Sequence, residues 1–343
     1  MDRDTDIPPP SEAVTGEFGA PNTPSAPASS NGSAGFIRQA WFDMLGRHCF
    51  ADRELLMATA RIGDASAVLP LVVESDRLVA LANYYSFAYG PMFDGDPTPD
   101  IRFALLRRIA ADLRARYHRV SLYPLVEEDT AALLRRAFAA GGWIALLTDQ
   151  GENHVLDLRG RNFVIYWAQR PGALRSSVRR KGKAERYSFE IHETITDALW
   201  RDYTAVYAAS WKNAEPWPAM IRSIADEAAA RGVLRLGFAR EEGRAVAVQL
   251  WTMEGRTACI HKLAHDSAED AGSPGTLLSH HMFEHMIDVE KVAQIDYGTG
   301  GNAYKRDWMD TVRPMQRLDG FDPCKAALWR PARKTRMSQR VRR

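Results

Sequence analysis

The amino-acid sequence predicts a mixed α/β protein in which two domains of similar architecture follow one another. The chain has 343 residues, and one hydrophobic core rarely serves a chain of that length, so two domains are expected. Helical and strand-like segments alternate in both halves in a similar order: helices, a three-strand meander, a helix, a strand, a helix and a strand. We therefore expect domains at 35–158 and 159–325.

In the first half, apolar residues follow two different periods. The segment "IRFALLRRIAADLRARY" places Phe103, Leu106 and Ile109 on one stripe, as an amphipathic helix does. Runs rich in Val, Leu and Ala, separated by Gly-Asp and Ser-Asp turns, predict strands. The predicted order is a helix near 36–45, strands at 55–62, 67–74 and 77–85, a helix at 101–117, a strand at 119–125, a helix at 129–142, a strand at 143–149 and an edge strand at 154–158.

The second half is predicted by the same patterns and ends in a glycine-rich turn. Its last long apolar strand runs directly into Gly298, Thr299, Gly300 and Gly301. The predicted order is helices at 163–169 and 174–186, a strand at 188–192, helices at 198–211 and 220–231, strands at 234–240, 244–253 and 257–265, a helix at 276–290, a strand at 292–297, a short helix at 304–309 and a strand at 315–318.

Composition and charge limit the kind of protein this is. Hydrophobic residues make up 45% and charged residues 26%, and the formal net charge is only +2, so no overall field demands a polyanionic partner. The three cysteines, Cys49, Cys259 and Cys324, cannot all pair, which suits a reducing compartment. The sequence has neither a spanning apolar run nor a signal-peptide pattern. It therefore predicts a cytoplasmic protein without a transmembrane segment.

The two ends of the chain differ from the rest. Residues 1–34 are rich in Pro, Ser, Gly and Ala and offer little to bury, which predicts a disordered leader. Residues 326–343 are rich in Lys and Arg. Two interpretations of this basic tail stay open: a solvated tail, or a weak contact with RNA, the ribosome or anionic lipid.

Three stretches of the second half resemble one acyltransferase family. They are "LRSSVRRKGKAER" at 174–186, "ASWKNAE" at 209–215 and "DYGTGGNAYKRDWM" at 296–309. These stretches resemble the FemAB-like, or BioF2-like and CelD-type, branch of the GNAT acyltransferase superfamily. The resemblance extends to the first half only through element order, since members often have two GNAT-like domains in tandem. It implies a tandem pair whose first domain is degenerate, because that half lacks a comparable glycine-rich junction.

The resemblance also implies a site for acyl-CoA and no metal. In GNAT-type folds two parallel strands splay apart, pantetheine pairs with one strand edge, and the next helix N-terminus receives the pyrophosphate. The splayed strands would be 257–265 and 292–297. Pro274 departs from the usual loop because proline removes one donor, so a loop that caps the helix without a ligand is the alternative. The residues assigned to the cofactor are Gly272, Ser273, Gly275, Thr276 and Lys262.

Two side chains are candidate bases for acyl transfer. Strand alternation places His261 and His265 on one face and Lys262 on the other. His265 is favoured as the base of this strand, with His261 as a second choice. Asp296 lies at the carboxyl end of the next strand, where ligands of open α/β sheets gather. A structural hydrogen bond is the alternative for each of them.

The short helix after the glycine-rich turn carries two further catalytic candidates. Tyr304 resembles in position the tyrosine with which many GNAT enzymes protonate a leaving thiolate, and a phenol can donate a proton while neutral at rest. Lys305 is predicted to hold a phosphate, a carboxylate or a developing oxyanion. The alternative is that Tyr304 packs and Lys305 is a surface cation.

Other cations and aromatics are assigned to substrate binding. Arg179 and Arg180 belong to a basic helix that fits a polyanion, although a solvated face explains it equally well. Trp211 and Lys212 lie at a helix end and are predicted to line the acceptor cleft. The aromatic segment "NYYSFAYGP" at 83–91 is interpreted as core or as a cleft wall.

One motif points to a metal, and we assign none to it. His281, Glu284 and His285 match H-x-x-E-H, an inverted zinc-protease signature. Zinc needs a further protein ligand, and a five-residue match arises easily by chance.

Three functions follow from these patterns. The first is acyl transfer from acyl-CoA to an amine or hydroxyl of a small molecule or of a cell-envelope or polysaccharide-related acceptor. The second is FemAB-type aminoacyl transfer from aminoacyl-tRNA. The third is a non-catalytic protein of exopolysaccharide assembly.

Overall fold

A computed structural model describes residues 35–300 and 303–325. The predicted leader, the basic tail and Gly301 lie outside these residues. The described part is a mixed α/β fold with one twelve-stranded sheet, which confirms the predicted fold class. The strands are β1 Glu54–Ile62, β2 Ala65–Glu74, β3 Arg77–Ala80, β4 Met92–Asp94, β5 Arg119–Leu125, β6 Ile144–Asp157, β7 Ser188–His192, β8 Leu234–Glu241, β9 Arg244–Glu254, β10 Thr257–His265, β11 Gln294–Thr299 and β12 Thr311–Phe321.

Helices cover both faces of this sheet. Apolar residues recur along them at helical spacing, and Thr98, Asn162 and Thr196 each accept a backbone N–H at a helix start. The helices are α1 Gln39–Cys49, α2 Pro99–Arg114, α3 Glu128–Ala140, α4 Phe163–Ala168, α5 Gly172–Gly182, α6 Asp197–Ala209, α7 Pro218–Ala230, α8 Pro274–Glu284 and α9 Ala303–Trp308, with a 3-10 segment at Ser267–Gly272 and a π-helical turn at His285–Val289.

The sheet contains the same arrangement twice. Its strand order is β1-β2-β3-β5-β12-β6-β11-β10-β9-β8-β7, with β4 paired to β2. In the first half the antiparallel meander β1-β2-β3 leads through α2 to β5, which pairs with β3 in parallel. In the second half the meander β8-β9-β10 leads through α8 to β11, which pairs with β10 in parallel. The similarity of the two halves that element order predicted is therefore present in the fold.

Two central strands differ from their predictions. The predicted strand at 143–149 and edge strand at 154–158 are one strand, β6, and it lies in the middle of the sheet between β12 and β11. The polar stretch within β6 suggested a break, but its backbone pairs with β12 on one side. The last strand, β12, is longer than predicted and inserts between β5 and β6. The sheet is therefore continuous from one half to the other, and the boundary near residue 160 stays a prediction.

The buried residues form two clusters. One includes Trp41, Phe138, Tyr203 and Leu236, so it contains residues from both halves. The other lies in the second half apart from Leu156 and Leu158, and in it Trp251 and Phe283 pack edge to face with ring centroids 5.2 Å apart. Fully burying one large apolar side chain stabilises the folded state by about 1.5–3 kcal/mol. The buried residues of both clusters therefore stabilise the packing of the helices on the sheet.

The predicted splay between two parallel strands is confirmed. Thr257–Cys259 of β10 pair with Gln294–Asp296 of β11, and the pairing ends there. Beyond that point β10 stays paired with β9 on its other side as far as His265. The edge of β10 that faces β11 is therefore open from residue 260 onward. Unpaired backbone groups at such an edge can bond an extended ligand.

Candidate active site

A β-bulge lies in β10 at the point where the strands separate. The register with β9 shifts between Ile260 and Lys262, so one extra residue interrupts the alternation of side chains. His261 consequently stacks on Phe87 with ring centroids 5.3 Å apart, and the Lys262 ammonium lies 4.8 Å from the Tyr85 ring. Both side chains meet the same aromatic segment. The prediction that His261 and Lys262 point to opposite faces is wrong, because alternation cannot register a bulge.

One ring nitrogen of His261 is hydrogen-bonded within the protein. Its Nε2 lies 2.8 Å from the Thr252 hydroxyl. Burial, with smaller contributions from Lys262 and Arg38, lowers the pKa of His261 to about 3. The imidazole is therefore neutral at physiological pH and hydrogen-bonded within the core, which favours the structural alternative for this residue.

The start of α8 is open to an anion. Ser273 has left-handed backbone geometry (φ 58°), its side chain caps no N–H, and the first turn contains no acidic residue. Leu277 N–H bonds the Ser273 carbonyl, whereas the first-turn N–H groups of Gly275 and Thr276 have no partner within a helix. Free N–H groups and the positive end of the helix dipole attract anions. Three of the residues assigned to the cofactor thus lie at this helix start.

His265 and Trp211 form one wall beside that helix start. A Cβ atom on Gly275 would lie 2.9 Å from His265 Nδ1, so only glycine fits against the imidazole. His265 Nε2 lies 2.7 Å from an Asp270 carboxylate oxygen. The Trp211 ring, 56% exposed, lies 4.5 Å from the His265 ring. The structure therefore brings together side chains that were assigned separately to catalysis, cofactor and substrate.

The basic helix α5 packs beside the same loop. The Lys181 ammonium donates to the Ala271 carbonyl, and Gly182 approaches the Leu277 side chain. Arg179 and Arg180 are exposed on α5. Helix α5 therefore adds cations next to the start of α8, where an anionic ligand would meet both elements.

A buried carboxylate joins the two halves at the bulge. Glu215 accepts a hydrogen bond from Lys262 Nζ at 2.5 Å, from the Tyr84 hydroxyl at 2.7 Å and from the Tyr85 hydroxyl. A longer contact of 3.3 Å joins it to the Tyr207 hydroxyl. The side chains of Lys262 and Glu215 are only 11% and 9% exposed. Sequence analysis missed this network, although Glu215 and both tyrosines lie within segments it singled out.

Lys212 lies next to this network. Its ammonium is 5.8 Å from the Trp211 ring and 6.0 Å from the Tyr207 ring. Burial and the charge of Lys262 lower the pKa of Lys212 to about 8, with Glu215 acting in the opposite direction and Lys305 adding a smaller decrease. A sizeable neutral fraction at physiological pH follows.

Asp296 is buried at the separation point and fully engaged. One carboxylate oxygen accepts the Gly298 N–H at 2.7 Å, and the other accepts from Arg313 at 3.1 Å and from Asn153 at 3.3 Å. Burial raises the pKa of Asp296, and Arg313 offsets part of that increase. With both oxygens bonded to the protein, the carboxylate is placed to fix the β11 turn. The structural alternative accounts for these contacts.

Tyr304 and Lys305 point in different directions. Lys305 is 5% exposed, and its ammonium donates to the carbonyl oxygens of Tyr297, Gly298 and Thr299 at 3.1, 3.4 and 2.6 Å. Its three donors are therefore used within the turn, which leaves none for the predicted anion. Burial lowers the pKa of Lys305 to about 8. Tyr304 is 42% exposed, with its ring 5.8 Å from that of Tyr297.

The glycines of the turn have the conformations that the sequence predicted. Gly298 and Gly300 adopt φ values of 69° and 102°, which favour glycine. A Cβ atom on Gly298 would also lie 2.5 Å from the Phe87 ring. The aromatic segment of the first half therefore packs directly against the β11 turn.

A separate groove of about 360 Å³ lies at the start of α3. Glu127, Glu128 and Asp129 line it, together with Arg313 from β12. Three carboxylic side chains make this groove unsuited to a phosphate-bearing ligand. The start of α8 is therefore the better site for such a ligand.

Comparison with known proteins agrees with the geometry of the second half. Residues 169–306 match the family described as an acetyltransferase (GNAT) domain. The fold is similar to that of FemX, with a TM-score of 0.59 and 10% identity over 83% of this chain and 91% of that chain. Residues 169–306 thus match a GNAT domain, and the chain as a whole shares its fold with FemX.

Two further solved structures share the fold of this chain over most of its length. L-PGS from Bacillus licheniformis gives a TM-score of 0.54 at 13% identity, over 88% of this chain and 92% of that chain. A C-terminal domain from Agrobacterium fabrum, named as part of a lysylphosphatidylglycerol synthetase, gives 0.53 at 14% identity, over 85% and 90%. No curated protein sequence matches the chain significantly. The family resemblance predicted from the sequence is confirmed for residues 169–306, which match an acetyltransferase (GNAT) domain.

The H-x-x-E-H motif lies on and beyond α8 of this domain. The His281 ring stacks on Phe189 at 5.2 Å, and His285 Nε2 lies 3.2 Å from a Glu290 oxygen. Within the described ranges no group of three or more His, Cys, Asp or Glu side chains is arranged to hold a metal ion. None of the described helices combines the length and apolar character that a membrane span requires.

Proposed function

We propose that this protein transfers an acyl group from acyl-CoA to an amine or hydroxyl of a small-molecule or cell-envelope acceptor. The observation that carries the proposal is the open edge of β10 next to the uncapped start of α8. An extended thioester arm and a diphosphate need those two features side by side. The free thiols of all three cysteines fit a reducing, cytoplasmic setting.

The donor side of the proposal uses backbone groups and cations. The amide groups of pantetheine would pair with β10 beyond Cys259, at the position a neighbouring strand would take. The diphosphate would receive N–H groups from Gly275 and Thr276 and the charges of Arg179 and Arg180. The thioester carbonyl would then lie near the bulge, where the extra residue frees a backbone N–H to stabilise an oxyanion.

The acceptor side uses the wall formed by Trp211 and its neighbours. Trp211 is exposed beside His265, so an acceptor can reach the thioester across its ring. Tyr304 is partly exposed at the other strand and would protonate the leaving thiolate. Lys305 supports this arrangement by fixing the turn that carries Tyr304.

Two measurements test the proposal. Coenzyme A or acetyl-CoA at about 1 mM, a concentration far above a typical Kd, is expected to raise the midpoint of thermal unfolding by several degrees, because a bound ligand stabilises the folded state. When acetyl-CoA is incubated with a panel of amines and alcohols, release of the coenzyme A thiol is expected. Arg179→Ala with Arg180→Ala is expected to weaken the shift. Absence of any thermal shift by either nucleotide at that concentration would contradict the coenzyme A donor.

Aminoacyl transfer from aminoacyl-tRNA is a second candidate. Helix α5 and the residues after it present more exposed cations than one diphosphate requires, namely Arg175, Arg179, Arg180 and Lys183. The FemX-like fold is compatible with this donor. Binding of charged tRNA that weakens steeply with salt, together with no response to coenzyme A, would favour this donor over acyl-CoA.

A further inference from the structure

We propose that Lys212 is the general base that takes a proton from an ammonium acceptor during acyl transfer. The inference rests on the proposed function and adds to it the class of acceptor, a primary amine. Two observations support it. Of three neighbouring lysine ammonium groups in the described part of the chain, two are hydrogen-bonded to the protein and that of Lys212 is not, and the other candidate bases already have hydrogen-bond partners.

Three lysines surround the separation of β10 and β11, and two of them are committed. Lys262 donates to Glu215 at 2.5 Å, and Lys305 donates to three carbonyl oxygens of the β11 turn. Lys212 has only the rings of Trp211 and Tyr207 beside its ammonium. Among the residues that the structure describes, none accepts a hydrogen bond or forms an ion pair with Lys212 Nζ. Its lone pair is therefore available once the ammonium loses a proton.

The other candidate bases are occupied. Asp296 has both oxygens bonded to Gly298, Arg313 and Asn153, and Glu215 accepts from Lys262 and from tyrosine hydroxyls. His265 Nε2 contacts Asp270, while its Nδ1 side is covered by Gly275. A base needs an accessible lone pair within reach of the acceptor. Lys212 meets that condition beside the exposed Trp211 ring.

The charged surroundings of Lys212 favour its neutral form. Burial lowers the pKa of Lys212 most, Lys262 on β10 and Lys305 on α9 lower it further, and Glu215, the anion among the described residues that acts in the opposite direction, is already paired with Lys262. His265 lies behind Trp211, and the phenols of the Glu215 network, Tyr207 among them, stay neutral. A lysine kept neutral by burial and neighbouring cations is a known type of general base.

The proton balance is simple. The acceptor ammonium gives one proton to Lys212, and its nitrogen attacks the thioester carbonyl. A carbon–nitrogen bond forms, the carbon–sulfur bond breaks, and the second proton leaves with the thiolate as coenzyme A thiol. Lys212 then returns its proton to solvent. An amine that is already neutral has less need of this step.

The experiment compares wild-type protein with Lys212→Arg and Lys212→Met, using acetyl-CoA with ethylamine or with trifluoroethylamine, which is already neutral at pH 7. Guanidinium keeps the charge but cannot act as a base. With ethylamine we expect kcat/KM to fall about 100-fold or more in both variants and to lose its rise toward pH 8. With trifluoroethylamine we expect a much smaller loss. The control Lys291→Arg, an exposed lysine outside the site, should retain wild-type activity.

Each outcome decides between roles. Full activity of Lys212→Arg with loss in Lys212→Met would mean that the charge matters, which overturns the base. Coenzyme A affinity should stay within 2-fold of wild type, and a large change would place Lys212 in the donor site instead. Lack of coenzyme A binding by the wild type would refute the proposed function separately. Independently of turnover, trace acetic anhydride at pH 7.5 should label Lys212 before Lys291, and equal labelling would contradict the proposal.

Discussion

Helices α2 and α8 occupy equivalent places in the two halves, yet they begin in opposite ways. Helix α2 starts with Thr98, whose hydroxyl accepts the Ile101 N–H at 3.4 Å, and has Asp100 in its first turn. Helix α8 starts at Ser273 with no side-chain cap and no acid. A capped, acidic start satisfies its own dipole, whereas an uncapped start attracts an external anion. Of these two equivalent helices, α8 is thus the one whose start is left open to an anion.

The parallel strand pairs differ in the same sense. In the first half β3 and β5 pair only from Arg77 to Val79, but the segment that follows β3 returns to β5, where the Tyr89 N–H bonds the Pro124 carbonyl at 2.8 Å. In the second half the pairing of β10 with β11 stops at Cys259 and Asp296. The segment that leaves β3 crosses to the second half, where Phe87 packs on His261. The first half thus packs against the second half beside the separation of β10 and β11, and the degeneracy of the first domain stays a prediction.

The largest expected difference between the two halves is in the stability lost when an ion pair is broken. Lys262→Met should lower the free energy of unfolding by about 3 kcal/mol, because it leaves the buried Glu215 carboxylate without its cation. Arg77→Met in the first half, where the pair with Glu74 is about 40% exposed, should cost under about 1 kcal/mol. Urea unfolding of both variants measures the two losses of stability. Equal losses would contradict a larger stabilisation by the Lys262–Glu215 pair than by the Arg77–Glu74 pair.

A smaller difference is expected between two glycines with positive φ. Gly298→Ala should cost about 2–3 kcal/mol, since the methyl group adds a clash with Phe87 to the backbone strain. Gly63→Ala in the first half meets open space and should cost only about 1 kcal/mol for its strain. Denaturant midpoints of the two variants measure the contrast. Indistinguishable midpoints would show that Phe87 does not pack on the β11 turn in solution.

The helix starts should differ in their response to charge. Thr276→Glu places a carboxylate at the anion site and should weaken coenzyme A binding about 10-fold, or about 1.4 kcal/mol. Thr276→Ser should bind normally, and Asp100→Asn at the start of α2 should neither weaken nor create binding. Calorimetric titration supplies the affinities. Unchanged binding by Thr276→Glu would place the nucleotide elsewhere.

The smallest expected effect concerns acid stability. Burial raises the pKa of Glu215, but hydrogen bonds from Lys262, Tyr85 and Tyr84 outweigh it, so the pKa is lowered overall. A carboxylate with a lowered folded pKa contributes stability above its unfolded pKa and loses it as pH falls. The stability lost in Glu215→Gln, about 1 kcal/mol, should therefore be constant above about pH 5.5 and shrink below about pH 4.5. Acid titration of unfolding in both proteins tests the sign.

Sequence periodicity predicted the strands at 257–265 and 292–297 and the helix between them because their patterns are local, whereas their splay was implied by the family resemblance. It failed where the partner is remote. The polar middle of β6 suggested two elements, and only pairing with β12, which comes from the far end of the chain, makes it one strand. Alternation placed His261 and Lys262 on opposite faces because a bulge leaves no signature in apolar spacing.

Contacts of the candidate site residues with remote partners were likewise not predicted from the sequence. The adjacent residues Tyr304 and Lys305 were both predicted to act at the reacting group, yet helix geometry turns Lys305 toward the backbone carbonyls of the β11 turn and leaves Tyr304 partly exposed. Glu215 joins Lys262 to tyrosines 130 residues earlier in the chain. Such long-range pairing of a carboxylate cannot be inferred from its neighbours in sequence.

Hydrogen exchange with and without coenzyme A tests the central claim most directly. The account predicts slower exchange in peptides covering 260–265 and 275–278 at saturating nucleotide, because the ligand would bond those N–H groups. Peptides covering 77–81 and 98–102, the equivalent positions of the first half, should be unchanged. Protection at the start of α2, or none at either place, would contradict the assignment of the donor site to the second half.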